Sequence, residues 1–85
     1  ETRPNPFRDF TMLTYNVPHE GHVLVKVSDI YGREIATMVD HRHISGKYTV
    51  KVDALPLQPG IYTATIILQS DQGDLIRTIR LLRSR

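Results

Sequence analysis

Apolar and polar residues alternate along much of this chain, and alternation at period two marks a half-buried strand, whereas spacings of three and four mark a helix. Leu13, Tyr15 and Val17 alternate with Thr14 and Asn16, and Val23, Val25 and Val27 with Leu24, Lys26 and Ser28. Tyr48, Val50 and Val52 stand against Lys47, Thr49, Lys51 and Asp53, which predicts a strand with valines inside and lysines in water. Ile61 to Gln69 is β-branched or aromatic at most positions. Tyr62, Ala64, Ile66 and Leu68 share one face of it and Ile61, Thr63, Thr65 and Ile67 the other, so this strand is expected to be covered on both faces and central in its sheet. A last strand runs from about Leu75 to Leu82, joined to its predecessor by the hairpin signal Ser70-Asp71-Gln72-Gly73-Asp74. Arg33 to Asp40 carries Ile35, Met38 and Val39 at helical spacing, but it is shorter than a stable helix and is read as a strand.

Pro18-His19-Glu20-Gly21, Asp29-Ile30-Tyr31-Gly32, Ser45-Gly46, Pro56 through Gly60 and the Gly73 turn divide these segments. Turns so closely spaced favour antiparallel neighbours and leave no room for crossover helices. The expected fold is all-β, a small immunoglobulin-like β-sandwich of about seven antiparallel strands. Residues 1–85 are expected to form a single domain, with residues 1–6 a linker-like, proline-containing entry.

Composition adds exclusions. A chain with 40% hydrophobic and 24% charged residues has the balance of a folding globular protein. Ile61 to Leu68, its most apolar stretch, is too short and too polar to span a bilayer. The absence of cysteine excludes disulfides, thiolate metal sites and cysteine nucleophiles. A formal charge of +2 is too weak a field for a protein that wraps nucleic acid. Its distribution says more: Arg77, Arg80, Arg83 and Arg85 form a cationic strip with no acid among residues 77–85. Apolar Ile79, Leu81 and Leu82 separate these arginines and no aromatic platform interleaves them, which argues against nucleic-acid binding. The chain starts at Glu1 with neither Met nor a charged-then-apolar leader, and is expected to be a piece of something longer.

Catalytic chemistry finds no motif. There is no Gly-x-Ser-x-Gly, no His-Glu-x-x-His and no glycine-rich phosphate loop, so the chain is not expected to be an enzyme and no cofactor is implied. His19 and His22 flank one connection, and His41 and His43 follow the third strand, so four imidazoles emerge at one end. Zinc accepts imidazole nitrogens, which makes these four the only metal candidates; the preferred expectation is four solvated loop histidines without metal. Asp29, Asp40, Asp71 and Asp74 lack calcium-loop spacing and are expected to initiate turns.

Several segments, in order, resemble the type A C-terminal sorting domain of the type IX secretion system, found at the ends of proteins secreted by Bacteroidota. Pro4-Asn5-Pro6-Phe7 is similar to the family's opening Pro-Asn-Pro-Phe. Gly21-His22-Val23 leads into Val25-x-Val27-x-Asp29, and Gly32-Arg33-Glu34-Ile35 resembles the family's Gly-Arg-Glu-Val. Leu57-x-x-Gly60-Ile61-Tyr62 is similar to Leu-x-x-Gly-x-Tyr, and Arg80-Leu81-Leu82-Arg83 to a basic, leucine-containing terminus.

The resemblance implies a non-catalytic secretion signal behind a cargo protein. It would direct that cargo through the outer-membrane translocon, after which a sortase-like peptidase removes it. Localisation would be periplasmic in transit, then cell-surface or extracellular. Arg77, Arg80, Leu81, Leu82, Arg83 and Arg85 are the expected recognition residues, on the view that residues 83–85 project past the final hairpin where a receptor can read them. Cleavage is expected before Pro4 or upstream of Glu1, because proteolysis favours extended, exposed chain. The domain is expected to be a monomer or a weak dimer. The alternative is a retained immunoglobulin-like accessory module for adhesion or carbohydrate contact, for which Tyr31 is the only aromatic at a turn.

Overall fold

In the computed structural model the alternating segments become seven strands and, among the described residues 1–54 and 57–85, no helix. Pro56, where part of a turn is expected, lies outside the described residues. In chain order the strands are β1 (Thr2–Arg3), β2 (Phe10–Val17), β3 (Gly21–Ser28), β4 (Glu34–His43), β5 (Gly46–Asp53), β6 (Gly60–Ser70) and β7 (Gly73–Arg83). They form two antiparallel sheets, β1-β2-β5 and β4-β3-β6-β7, packed as a sandwich.

The core is the sum of the inward alternations. Leu13, Tyr15 and Val17 of β2 meet Val23, Val25 and Val27 of β3 and Ala64, Ile66 and Leu68 of β6, all buried. Strand β6 is central, between β3 and β7, as its two apolar faces require; its outer-face residues Thr63, Thr65 and Ile67 are half-buried. The β6–β7 hairpin pairs Ser70 with Gly73 across Asp71-Gln72, and Gly73 has φ 100°, a conformation that costs glycine little.

Strand β4 explains its own helical spacing. Its pairing with β3 shifts register between Val25 and Lys26 and again between Val27 and Ser28. Such a bulge inserts an extra residue and changes which side chains point inward. Ala36 and Met38 are therefore half-buried and Val39 buried, in a strand that continues to His43 rather than ending at Asp40.

Residues 1–6, linker-like in composition, carry a strand. Thr2 pairs with Leu13 and Arg3 with Met12, and the Thr14 N–H donates to the Glu1 carbonyl at 2.8 Å. Thr11, wholly buried, donates its hydroxyl to the Pro4 carbonyl at 2.6 Å. The Thr2 hydroxyl, 2.7 Å from Thr11 Oγ1, then supplies the other hydrogen, since a hydroxyl has one to give. The Arg3–Pro4 and Asn5–Pro6 bonds are both cis.

Candidate functional site

The cationic strip lies on β7, an edge strand with β6 on one side only. Register sets its faces. Leu75, Arg77, Ile79 and Leu81 pair with Leu68, Ile66, Ala64 and Tyr62 of β6, and paired residues share a face, so these four point toward the opposite sheet. Ile76, Thr78, Arg80 and Leu82 point outward. Only Leu81 is fully buried; Ile79 is half-buried, and Leu75 and Arg77 are exposed. The cause is a mismatch of widths: a three-stranded sheet faces a four-stranded one, which among the described residues leaves the first half of β7 without a strand across from it.

The resulting groove, ≈ 510 Å³, runs between the edges of β2 and β7. Ile66, Leu68, Leu75 and Ile79 give it an apolar floor, and Arg77 lies at its side. The Arg77 guanidinium donates to the Ile76 carbonyl at 3.0 Å. Among the described residues neither Arg77 nor Arg80 has a carboxylate partner.

The second half of the β7 edge is closed by the Pro-Asn-Pro-Phe segment. Asn5 Nδ2 donates to the Arg80 carbonyl at 2.8 Å, and the Leu82 N–H donates to Asn5 Oδ1 at 2.8 Å. A carboxamide carries the donor and acceptor of a peptide group, so this one side chain pairs with the edge as a strand residue would. Phe7 continues the cover: its N–H donates to the Leu82 carbonyl at 2.9 Å and its carbonyl accepts from the Ser84 N–H at 2.8 Å. Its ring sits in the core at 1% exposure.

The C-terminal residues therefore do not project past the hairpin. Ser84 Oγ also donates to the Phe7 carbonyl at 3.1 Å, and Arg8 Nε donates to the Arg85 carbonyl at 2.7 Å. Arg83 Nε donates to the Leu57 carbonyl at 3.2 Å, and its guanidinium also meets the Ser84 carbonyl. The sequence suggested a loose tail because nothing in it shows that Phe7 lies beside its far end. Of the six residues expected to recognise the translocon, Arg77, Arg80 and Arg85 are exposed, Leu82 and Arg83 half-buried, and Leu81 is inaccessible.

The Gly-Arg-Glu segment is a turn device. Asp29 Oδ1 accepts from the Tyr31 N–H at 2.9 Å and the Arg33 N–H at 3.0 Å, and Oδ2 pairs with Arg33 Nε at 2.8 Å. Gly32 between them has φ 81°. Desolvation opposes ionisation of this carboxyl, whose side chain is 12% exposed, but the Arg33 and Tyr31 hydrogen bonds outweigh it and hold Asp29 below the usual carboxylate range. Glu34 pairs with Lys26 at 3.3 Å. Tyr62, packed on the core, donates its hydroxyl to the Gln58 carbonyl at 2.7 Å, and Gly60 opens β6 opposite Arg83.

The four histidines do not gather at one point, and three of them lie on strands. His22 pairs with Asp40 at 2.5 Å, which takes Asp40 out of the turn role expected of it. His43 is buried at 4% exposure, with Nε2 2.9 Å from the Tyr15 hydroxyl and its ring 4.3 Å from that of Tyr48. Burial raises the Tyr15 pKa, and neighbouring Tyr48 adds to it. The His41 ring lies tilted beside that of His43, their centroids 4.4 Å apart. Among the described residues no group of three or more histidine, aspartate or glutamate side chains is placed to hold a metal ion. Asp71 does lie in the expected turn, whereas Asp74 belongs to β7.

Compared with known proteins, the chain matches a family model described as the secretion system C-terminal sorting domain, over residues 3–79. No curated protein and no solved structure matches it.

Proposed function

The chain belongs to the family of secretion system C-terminal sorting domains, and from that premise we propose that the outer-membrane translocon reads it along the uncovered half of β7. Members of this non-catalytic family are sorting signals for type IX secretion. They are attached to an N-terminal cargo and engage the type IX machinery, which exports to the cell surface or beyond.

One observation carries the finer proposal: among the described residues the edge of β7 faces no strand from Gly73 to Thr78, and neither Arg77 within that stretch nor Arg80 just beyond it has a carboxylate partner. An open edge offers backbone donors and acceptors to an added strand, and the nearby guanidinium groups select an acidic one. Arg83 and Arg85 extend the same charge as a fixed surface, held against Phe7 and Arg8. Leu81 contributes through the fold alone. A sortase-like peptidase then separates cargo from signal, upstream of the paired residues Glu1 to Arg3, since chain held in a ladder is a poor protease substrate.

The test is a fluorescent passenger placed between an export leader and these residues, in a host with a working type IX translocon. The variant is Arg77→Gln with Arg80→Gln, because deleting residues 77–85 would also remove Leu81 from the core. The expected result is a folded fusion retained in the periplasm, with surface and medium yield at least about tenfold below the parent. Parental export of the double variant would overturn recognition at β7. Mature cargo that still carries the domain would favour a retained adhesion module.

A further inference from the structure

The open edge of β2 ends in an unfinished ladder. Glu1 and Thr14 form a doubly bonded pair: the Thr14 N–H donates to the Glu1 carbonyl at 2.8 Å and the Glu1 nitrogen to the Thr14 carbonyl at 3.0 Å. In an antiparallel ladder such pairs recur at every second residue. The next β2 residue whose N–H and C=O point the same way is Asn16. Among the described residues it faces no strand on that side: the pairing runs from Arg3 and Met12 through Thr2 and Leu13 to Glu1 and Thr14.

The groove beside this edge is shaped for what would come next. Glu1, at its mouth, is one of its lining residues, as are Thr14, Asn16 and Pro18. Glu1 and Arg3 lie on the outer face, where they form an ion pair at 2.6 Å, while Thr2 points inward to buried Thr11. If the ladder continued, alternation would turn the residue before Glu1 inward opposite Tyr15, the second before it to solvent opposite Asn16, and the third inward opposite Val17. Pro18 then stops the ladder, having no N–H.

We infer that in the precursor the three residues immediately upstream of Glu1 continue β1 along β2, pairing with Tyr15, Asn16 and Val17 and filling the groove. This rests on the family reading that a cargo polypeptide precedes the domain. The occupant is the junction itself: it begins where Glu1 sits, in register, and needs no association step. Its inward side chains cover the apolar floor that the three-stranded sheet leaves bare. The outer face of β7, with Arg80, stays open. The domain thereby holds the junction residues as part of its own sheet, and the bond that the peptidase cuts lies before them.

The test uses the purified full precursor and the same precursor with those three residues replaced by proline, which removes the N–H that the Asn16 carbonyl would accept. Hydrogen exchange is read at single amides. The Asn16 N–H is expected to exchange at least about tenfold faster in the triple-proline precursor, with the Val25 amide of β3 unchanged as the control for folding. Equal Asn16 rates in the two precursors would overturn the inference. So would native-precursor protection that disappears on dilution, which would make a second copy the occupant. Failure here leaves export through β7 untouched, and failure of export with Asn16 protected leaves this inference standing.

Discussion

Asn5 offers the sharpest test of how the ends of this chain are joined. Its carboxamide makes two bonds to the β7 edge, both 2.8 Å and both exposed to solvent. A neutral hydrogen bond contributes about 0.5–1.5 kcal/mol net, and water can re-solvate the Arg80 carbonyl and the Leu82 N–H once Asn5 is gone. Asn5→Ala is therefore expected to cost about 1–2 kcal/mol, a fall in Tm of roughly 5–15 °C for a domain of this size. Asn5→Asp separates hydrogen bonding from bulk. At pH 7 its carboxylate still accepts from Leu82 but sets a second acceptor against the Arg80 carbonyl, so it should be no more stable than Asn5→Ala. Below about pH 4 the protonated acid regains a donor, and its deficit relative to wild type should shrink. Thermal melts of the three proteins at pH 7 and pH 3 supply the comparison. An Asn5→Ala Tm within 2 °C of wild type, or an Asn5→Asp deficit that does not narrow with acid, would refute the view of Asn5 as a surrogate strand residue.

Substitutions at three further positions probe the rest of the fold. Leu81→Ala should destabilise by about 2–5 kcal/mol and Leu81→Met by less than about 1.5 kcal/mol, with export following stability in both; a stable Leu81→Met protein that is not exported would restore Leu81 as a recognition residue. Gly21→Ala places a Cβ 2.6 Å from the Gln69 carbonyl oxygen and 2.8 Å from Leu68 Cδ1, and as overpacking against backbone should cost about 1–3 kcal/mol in denaturant titration. Asp29 is held below the usual carboxylate range, so its contribution is complete above the unfolded value near 3.9 and is lost as pH falls through the folded value. Asp29→Asn should lower Tm at pH 7, with the gap to wild type closing toward pH 2; a constant gap would mean that the charge of Asp29 plays no part.

What the sequence disclosed follows from how far each signal reaches along the chain. Alternation in β2, β3, β5 and β6 is local, and it placed the strands, the central position of β6 and the final hairpin. The bulges in β4 were visible only as a false helical spacing, since a shifted register moves Val39 out of phase with Ala36 and mimics a helix. Strand β1 has two residues and no period to detect. The bonds from Asn5 to Arg80 and Leu82, like those from Phe7 to Ser84, join residues 75 or more positions apart, and no window along the sequence contains both partners. His43 misled for a related reason: it reads as a loop residue until Tyr15, from another sheet, is set against it.

The family motifs and the signal need not be the same residues, and their accessibility separates them. Asn5 and Phe7 close the β7 edge, Gly32 and Arg33 complete the Asp29 turn, Tyr62 ties down Gln58 and Leu81 fills the core; each is accounted for by a contact inside the domain. A receptor that meets the folded module touches none of the buried ones. It can touch Arg80, the open edge from Gly73 to Thr78, and exposed Ile76, whose features the fold does not require. Motif residues are thus expected to govern export through stability, in proportion to the Tm they remove, and stabilising changes elsewhere should rescue their variants. Arg77 and Arg80 should behave in the opposite manner: their loss leaves Tm within about 2 °C of wild type, as surface substitutions usually do, and no stabilising change restores export. A plot of export against Tm across both groups would show one dependent line and one set of points below it. If the arginine variants fell on the same line as the rest, the signal would be the folded sandwich itself, with no separate recognition surface on β7.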